Sequence, residues 1–343
     1  MFEETLVRLL LFDLKGQKFR NNTGVNMGIE INLLPIKKGD CIHIRFEDET
    51  GAHNIIIDSG PASAGRKFRD LINKIRSTGE TVDLLCFTHI DDDHIGGATK
   101  VLAESSFGFG IIKRAWLNCE STGEESSAQE TAHTVTDMSV PTMLELHRNL
   151  LEHNIPVEND IVNGHELIVG TMEIFVLTPL LVNHRKYQDF LKDKLEKISM
   201  SADDKSITNG DSISLLMCFK GKKYLFSGDI HADELTKAIA QTDKCRSLYS
   251  AQLPHHGSHR NLTDELLQQL NTTRLLISSY GNSDRPSEET IQILEKFQPN
   301  VKIMLLCNFS MCQTIKDNEH LKCINLQTEN YSDTEGICFK SEA

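Results

Sequence analysis

Hydrophobic and polar positions along the chain follow two different periods. Short apolar runs bounded by turn residues predict strands at residues 29–35, 41–46, 54–57 and 82–87. Residues 67–78 place their apolar side chains three and four positions apart, which predicts a helix with one buried face. The first half of the chain therefore alternates strands with helices, and a further short helix is predicted at about residues 98–105.

The second half of the chain repeats this alternation. Residues 213–219 and 224–226 flank a Lys-Gly-Lys turn, which predicts a hairpin. Helices are predicted at residues 232–239 and 263–270 and from residue 287, each beside a strand-like run, and residues 186–197 form a charged, helix-prone insertion. Strand–helix units in both halves favour an α/β layered domain, in which helices cover paired sheets.

A polar stretch at residues 20–24 separates the start of the chain from its remaining residues. We therefore predict an N-terminal extension over residues 1–26 and one domain over residues 27–343. Whether the native start is Met1 or Met27 stays open. Residues 118–140 are rich in Ser, Thr and Glu, which indicates a surface loop.

Composition restricts the class of protein. The chain is 39% hydrophobic and 25% charged, which is ordinary for a globular protein. It has no apolar run long enough to cross a bilayer and no basic start typical of a secretion signal, so we expect a cytoplasmic protein away from membranes. Nine scattered cysteines without a CxxC pair indicate reduced thiols rather than a disulfide framework or a zinc ribbon.

The net charge limits the kinds of partner. With 36 basic and 49 acidic residues, the formal charge is −13, and no basic patch is evident. This argues against tight, sequence-independent binding to long nucleic acid. It does not exclude a phosphodiester substrate, because bound divalent ions would supply positive charge locally.

The most informative motif is the run Thr-His-Ile-Asp-Asp-Asp-His-Ile-Gly-Gly at residues 88–97, directly after a predicted strand. His89 and His94 offer imidazole nitrogens, and Asp91 and Asp93 offer carboxylate oxygens. Such mixed ligands suit Zn²⁺, Mn²⁺ or Fe²⁺. The ordered spacing favours a metal site over an acidic surface loop that happens to contain two histidines.

Two later motifs also lie directly after predicted strands. Asp229 ends Ser-Gly-Asp, and its two oxygens could bridge two divalent ions, although Gly-Asp after a strand is commonly a turn. His255 and His256 stand in Leu-Pro-His-His-Gly-Ser. Adjacent side chains point in opposite directions along extended chain, so one histidine could bind metal while the other faces the substrate or packs. Together with the first run, these motifs predict a single site at the strand ends.

This ordered set, together with Asp58 in Ile-Ile-Ile-Asp-Ser-Gly, resembles the metallo-β-lactamase fold. More narrowly, it resembles the hydrolase domain of ComEC-type DNA-uptake competence proteins and their stand-alone relatives. In that branch an aspartate replaces the second histidine of H-x-H-x-D-H, as Asp91 does here. The resemblance runs from about Ile29 to Ile337 and does not include the membrane channel, so it does not imply DNA uptake.

The resemblance implies a four-layer αββα sandwich with two divalent metal ions, Zn²⁺ or Mn²⁺, at one edge of its two packed sheets. The implied ligands are His89, Asp91, Asp93, His94, Asp229, and His255 or His256. His89 and Asp91 would serve one ion, Asp93 and His94 the other, and Asp229 would bridge them. Asp58 would hold the metal loop by hydrogen bonds.

The chain departs from the family pattern in two places. None of His133, His147, His153 and His165 falls in a motif for the family's middle ligand, so we interpret them as surface or packing residues. After Asn282, the sequence Ser-Asp-Arg-Pro replaces the branch's usual histidine-proline ending. Arg285 could contact a phosphate oxygen there, or be a solvated loop residue. Asn282 and Ser258 are the other expected substrate contacts.

The first functional hypothesis is a phosphodiesterase or nuclease that uses two metal ions to activate water, with DNA, RNA, a nucleotide or a phospho-headgroup as substrate. Asp93, and His256 or whichever histidine of the pair is not a ligand, would move protons. The same fold also supports hydrolysis of esters, thioesters or lactams, and fold alone does not choose between these. A non-catalytic scaffold that binds a protein partner is the third hypothesis.

Overall fold

The computed structural model describes residues 28–36, 38–104, 108–119, 139–197, 202–279, 285–297, 301–306, 322–326, 329–332 and 336–341. Several sequence predictions lie outside these residues: the extension at 1–26, most of the 118–140 loop, His133 and Asn282.

Two eight-stranded sheets form the centre of the molecule. The strands are β1 (Ile29–Leu33), β2 (Ile42–Asp48), β3 (Gly51–Ile57), β4 (Leu84–Cys86), β5 (Ala115–Trp116), β6 (Val157–Glu158), β7 (Glu166–Val169), β8 (Met172–Thr178), β9 (Ser214–Phe219), β10 (Lys222–Phe226), β11 (Ser250–Gln252), β12 (Arg274–Ser278), β13 (Lys302–Leu306), β14 (Lys322–Asn325), β15 (Tyr331–Ser332) and β16 (Ile337–Ser341). The first sheet has the order β15-β16-β1-β2-β3-β4-β5-β6, and the second has the order β14-β13-β12-β11-β10-β9-β8-β7.

Helices cover the outer faces of both sheets. They are α1 (Gly65–Ser77), α2 (Asp92–Leu102), α3 (Ser139–Glu152), α4 (Leu181–Lys197), α5 (Ala202–Gly210), α6 (Ala232–Ala240), α7 (Asp264–Leu270) and α8 (Glu288–Phe297). In the part of the chain that the structure describes, no helix combines the length and the apolar character needed to cross a bilayer.

Three hydrophobic clusters hold these layers together. The first packs the apolar faces of α1, α2 and α3 against the first sheet. The second lies between the two sheets, and the third lies between the second sheet and α6, α7 and α8. Each sheet therefore buries both faces, which explains its near-continuous apolar strands. The predicted αββα sandwich is confirmed.

The α1 helix shows how the sequence pattern builds a layer. Its Phe68, Leu71, Ile72 and Ile75 are at most 3% exposed, as their helical spacing predicts. The hairpin prediction is also confirmed, because β9 and β10 pair in antiparallel fashion across the turn, with Phe219 opposite Lys222.

The prediction of a helix at residues 98–105 is wrong at both ends. Helix α2 begins at Asp92 and ends at Leu102, after Asp91 in an extended conformation at its N-cap. Asp92 and Asp93 lie in its first turn, where carboxylates interact favourably with the helix dipole. The run of acidic residues therefore starts the helix instead of forming a loop before it. The insertion helix likewise begins earlier than predicted, at Leu181.

Candidate metal centre

Asp58 organises the loop that carries the first histidines. It lies directly after β3 with φ of +58° and is fully buried. Its Oδ1 accepts a hydrogen bond from the Thr88 backbone N–H at 2.7 Å, and its Oδ2 accepts from Thr88 Oγ1 at 2.7 Å. The Nδ1 of His94 lies 2.8 Å from Asp58 Oδ2. Because a carboxylate only accepts, His94 Nδ1 carries a proton, and its Nε2 is the ring nitrogen that faces Asp229.

The hydrogen bonds of Thr88 likewise determine which nitrogen of the His89 ring carries a proton. Thr88 Oγ1 gives its one proton to Asp58, so at its 3.0 Å contact with His89 Nδ1 it accepts, and Nδ1 is the donor. The rings of His89 and His94 have their centroids 4.1 Å apart. The Nε2 atoms of both rings are buried and form no hydrogen bond within the described residues.

Asp229 faces these rings from the second sheet. It comes after β10 in the turn where Gly228 adopts φ of +57°, and it is 4% exposed. A Cβ on Gly228 would lie 3.0 Å from Thr88 Cβ, so the glycine allows the two strand-end loops to approach closely. Asp229 Oδ2 is 3.6 Å from His94 Nε2, and its Oδ1 is 3.6 Å from His256 Nε2.

The adjacent histidines are not in extended chain, so the expectation that their side chains diverge is wrong. His255 and His256 have φ of +52° and +56°, and this left-handed turn directs both rings towards Asp229. His255 Nε2 lies 3.5 Å from Asp229 Oδ2 and its Nδ1 contacts Asn261 Oδ1 at 3.2 Å. The side chain of His255 is 23% exposed, whereas that of His256 is 2% exposed.

Asp40 also belongs to this cluster, although the sequence analysis did not predict it as a site residue. Its Oδ1 lies 3.4 Å from His256 Nδ1, and its Oδ2 accepts a hydrogen bond from Gln252 Nε2 at 2.7 Å. Asp40 is 1% exposed. The sequence signal was the turn Lys38-Gly39-Asp40 before a buried strand, and nothing in it specifies a contact with His256.

Asp91 and Asp93 approach the cluster from the start of α2. Asp91 Oδ2 is 3.8 Å from His89 Nε2, and its Oδ1 accepts a hydrogen bond from Thr208 Oγ1 at 2.8 Å. Asp93 lies one position before His94 in the first helical turn. The structure thus brings all four polar residues of the sequence motif to one place.

Four overlapping groups of side chains have ligand atoms within 4.8 Å of one another. They are His89, His94 and Asp229; Asp93, His94 and His256; Asp40, Asp229 and His256; and Asp40, Asp58 and His94. Within the residues that the structure covers, His147, His153 and His165 belong to no such group. His153 Nε2 instead contacts the Leu102 carbonyl at 2.7 Å, in keeping with a packing role.

Burial and opposite charges shift the pKa values of the central groups. Burial lowers the pKa of His94, but the charges of Asp229 and Asp58 outweigh it and raise this pKa well above its ordinary value. Burial likewise lowers the pKa of His256, but the charges of Asp229 and Asp40 outweigh it and raise this pKa to about 9. Burial raises the pKa of Asp229, yet the neighbouring imidazoles hold it well below its ordinary value. Without a metal, protons on these histidines balance the buried carboxylates.

The pKa values of His89, His255 and Asp91 instead shift so that the uncharged form of each side chain is favoured. Burial, reinforced by the charge of His94, lowers the pKa of His89 to about 4. Burial also lowers the pKa of His255 to about 4 and raises that of Asp91 to about 7. Uncharged forms are therefore favoured where burial, together with neighbouring like charges, outweighs the nearest opposite charge.

The donor set fits a divalent metal ion. The Nε2 atoms of His89, His94 and His256 and the Oδ1 atom of Asp229 are buried and lack a hydrogen-bond partner among the described residues. Burying such atoms without partners is costly. The distances from His94 Nε2 to Asp229 Oδ2 and from His256 Nε2 to Asp229 Oδ1 are both 3.6 Å. They are longer than ordinary hydrogen bonds and close to the edge, about 3.4 Å, of a tetrahedron of ligands around one Zn²⁺. These side chains could therefore hold a divalent ion.

The predicted substrate contacts lie beside the cluster or outside the described residues. Arg285 Nη1 donates a hydrogen bond to the His255 carbonyl at 3.3 Å, which places the guanidinium at the edge of the histidine turn. Ser258 is 7% exposed, and its backbone closes the same turn by a bond to the His255 carbonyl at 3.1 Å. Asn282 is not among the described residues.

Comparison with known proteins identifies related sequences and structures. ComE operon protein 3 of Bacillus subtilis (strain 168) is 21% identical over 285 residues, which cover 78% of this chain and 30% of the relative. The chain thus spans less than a third of that protein. A diphosphatase of the PhnP family is 11% identical with a TM-score of 0.41, covering 87% of this chain and 94% of its own.

A further solved structure is CmlA, a diiron β-hydroxylase from Streptomyces venezuelae. It is 12% identical with a TM-score of 0.42, covering 87% of this chain and 53% of its own. The family model of the metallo-beta-lactamase superfamily matches residues 39–181, which include the run at 88–97. This part of the chain is therefore similar to the metallo-beta-lactamase superfamily, in keeping with the αββα layers and the strand-end histidines and aspartates already described.

Proposed function

We propose that the chain is a metal-dependent hydrolase of phosphodiesters, using two divalent metal ions held at the ends of β3, β4, β10 and β11. One observation carries this proposal. Buried ligand atoms of three histidines and Asp229 converge and have no hydrogen-bond partner within the described residues. Such a set is costly to bury unless cations bind to it.

The geometry supports a division of the ligands between two ions. We assign His89 and Asp91 to one ion, Asp93, His94 and His256 to the other, and Asp229 as the bridge. Two oxygens of one carboxylate facing different imidazoles suit a bridge. Asp58 and Asp40 lie behind His94 and His256 and would orient their rings.

Within the adjacent pair, His256 is the better ligand. It is buried, and its Nδ1 faces Asp40 while its Nε2 faces Asp229. His255 is partly exposed, so we assign it to proton transfer, a role that Asp93 could share while it binds metal. His256 is thus the proposed metal ligand of the pair. The expected proton-transfer role then falls on Asp93 or His255.

Bound divalent ions would lower the pKa of a water molecule and neutralise the developing charge on phosphate oxygens. The chain's own residues supply the rest. Arg285 lies at the edge of the histidine turn, where its guanidinium can pair with a phosphate oxygen. Asp91 in place of an imidazole gives a harder oxygen ligand. This site should therefore favour Mn²⁺ more than an all-histidine site would.

Carboxylic ester, thioester or lactam hydrolysis is the second candidate, since the same ligand geometry would serve it. Arg285 beside the centre favours an anionic substrate and so the phosphodiester. A scaffold without activity is the weakest of the three, because a vestigial site has no reason to keep so many buried ligands together.

Metal content and substrate preference test the proposal. Purified protein should contain close to two equivalents of divalent metal and hydrolyse bis-p-nitrophenyl phosphate with Mn²⁺ or Zn²⁺ added. Asp229→Ala should abolish turnover, whereas Asp233→Ala, an exposed carboxylate on α6, should leave it unchanged. Turnover of a thioester alone would support the second candidate. Absence of both metal and turnover would overturn both enzymatic proposals.

Two broader expectations stay proposals. Residues 27–343 would form one domain after an extension at 1–26, which limited proteolysis would test. A cytoplasmic location is in keeping with the scattered cysteines, six of which the structure describes as free thiols, and cell fractionation would test it.

A further inference from the structure

Asp91 receives a hydrogen bond from an element far along the chain. Thr208, in the last turn of α5, donates from Oγ1 to Asp91 Oδ1 at 2.8 Å. Thr208 is fully buried. The other oxygen of Asp91, Oδ2, faces His89 Nε2 at 3.8 Å. The two carboxylate oxygens thus have different neighbours, and only Oδ2 faces the ligand cluster.

The turn that carries Thr208 is hydrogen-bonded to the loop that carries His89. The Asp211 backbone N–H donates to the Thr208 carbonyl at 3.1 Å, and the Ile213 N–H donates to the Thr88 carbonyl at 2.8 Å. Thr88 directly precedes His89. These bonds fix the position of the Thr208 hydroxyl relative to His89. We assign His89 to the same ion as Asp91.

The Asp211 side chain anchors this turn to a second buried layer. Its Oδ2 accepts a hydrogen bond from Asn118 Nδ2 at 3.0 Å, and its Oδ1 lies 2.9 Å from His184 Nδ1. His184 Nε2 in turn contacts Asp160 Oδ1 at 3.1 Å. Helices α4 and α5 are thus joined to the end of the first sheet by the buried contacts of Asp211.

A carboxylate in place of an imidazole creates a need for such a contact. Its terminal torsion is broad, so Asp91 by itself does not fix whether one or both of its oxygens face the ions. We propose that Thr208 is a positioning residue for Asp91, which holds Oδ1 so that Oδ2 alone reaches the ion shared with His89. The inference rests on the proposed function only in taking Asp91 as a metal ligand.

Metal titration of three variants tests this inference. Metal-free wild type, Thr208→Val, Thr208→Ser and Ser206→Ala would each be titrated with Mn²⁺ by calorimetry. Ser206 lies on the same helix, but its hydroxyl contacts His231 at 3.3 Å rather than Asp91, so it is a matched control. Thr208→Val should weaken one of two binding events about 10–100-fold. Thr208→Ser and Ser206→Ala should bind both ions as wild type does.

A double-mutant cycle separates positioning from general damage to the fold. In an Asp91→Ala background, Thr208→Val should cause no further loss of Mn²⁺ affinity, because the interaction it removes acts through the Asp91 side chain. Urea unfolding of the metal-free variants would show whether Thr208→Val folds, and if it does not, Thr208→Ala replaces it.

Two results would overturn the inference: wild-type affinity for both ions in Thr208→Val, or equal losses in Thr208→Val and Thr208→Ser. The titration uses no substrate. A wild-type protein that binds Mn²⁺ but hydrolyses no phosphodiester would therefore contradict the proposed function and leave this test intact.

Discussion

Asp40 and His256 face one another at the buried side of the candidate metal centre, with Asp40 Oδ1 3.4 Å from His256 Nδ1. They come from opposite halves of the chain, one from the loop before β2 and the other from the turn after β11. Gln252 holds the second oxygen of Asp40 at 2.7 Å. A carboxylate behind an imidazole fixes the ring's tautomer and raises its strength as a ligand.

Replacing this carboxylate should weaken metal binding without unfolding the protein. Asp40→Asn keeps the shape and removes the charge, so we expect Zn²⁺ or Mn²⁺ affinity to fall about 10–100-fold. Competition with a chelating dye would measure it. Asp233→Asn on α6 removes an exposed carboxylate and should leave the affinity unchanged. Equal affinities in Asp40→Asn and wild type would contradict the assigned role of Asp40.

The loop before Asp40 depends on a glycine. Gly39 has φ of +72°, and a Cβ there would lie 1.5 Å from the Asp93 carbonyl oxygen. Gly79 has φ of +74° with nothing within 4 Å of its Cβ position. Both substitutions by alanine carry the cost of left-handed backbone, about 1–2 kcal/mol, and only Gly39→Ala adds a clash.

The two alanine variants therefore form a matched pair. We expect Gly39→Ala to lower the free energy of unfolding by more than about 4 kcal/mol and to reduce metal binding, while Gly79→Ala keeps wild-type metal binding. Urea denaturation and metal analysis would measure both effects. Similar losses in the two variants would show that backbone strain alone, not the contact with Asp93, is at work.

Stability of the metal-free protein should fall as the pH rises. The pKa of His256 is raised from 6.5 to about 9 in the folded protein, so its bound proton stabilises the fold below pH 6.5. That contribution, about 3 kcal/mol, is lost as the pH rises from about 6.5 to about 9. Urea unfolding in the presence of a chelator, at several pH values in this range, would measure it.

Metal binding should strengthen as the pH rises, whereas the stability of the metal-free protein falls, because the metal ion replaces the proton on His256. Below pH 9, binding of Mn²⁺ should release protons, and affinity should increase with pH until His256 is neutral. Calorimetry in buffers of different ionisation enthalpy would count the protons. Binding that releases none at pH 7 would mean that His256 is not protonated in the metal-free protein.

Arg285 should act on the substrate rather than on the metal. Arg285→Ala should raise the KM for bis-p-nitrophenyl phosphate about tenfold or more, because a charged hydrogen bond contributes about 1.5–3 kcal/mol. Metal affinity should stay at the wild-type value. Arg66→Ala, at a largely exposed arginine on α1, is the control. An unchanged KM in Arg285→Ala would assign Arg285 to holding the His255 turn alone.

The layered fold was predictable because its signals are local. The spacing of Phe68, Leu71 and Ile72 defined the buried face of α1, and apolar runs between turns defined most strands. The start of α2 was missed because the helix was predicted only after the run at residues 88–97, from about residue 98. Asp91 instead stands at the N-cap of the helix, and Asp92 and Asp93 lie in its first turn.

By itself, the sequence determined the layered class and the identity of most candidate ligands, since a ligand motif such as residues 88–97 is confined to a few consecutive positions. Only the tertiary structure decided how Asp40 meets His256, how Thr208 meets Asp91, and that both adjacent histidines turn towards Asp229. The physical reason is that these contacts join segments far apart in the chain through packed sheets and left-handed turns, and hydrophobic periodicity carries no information about either.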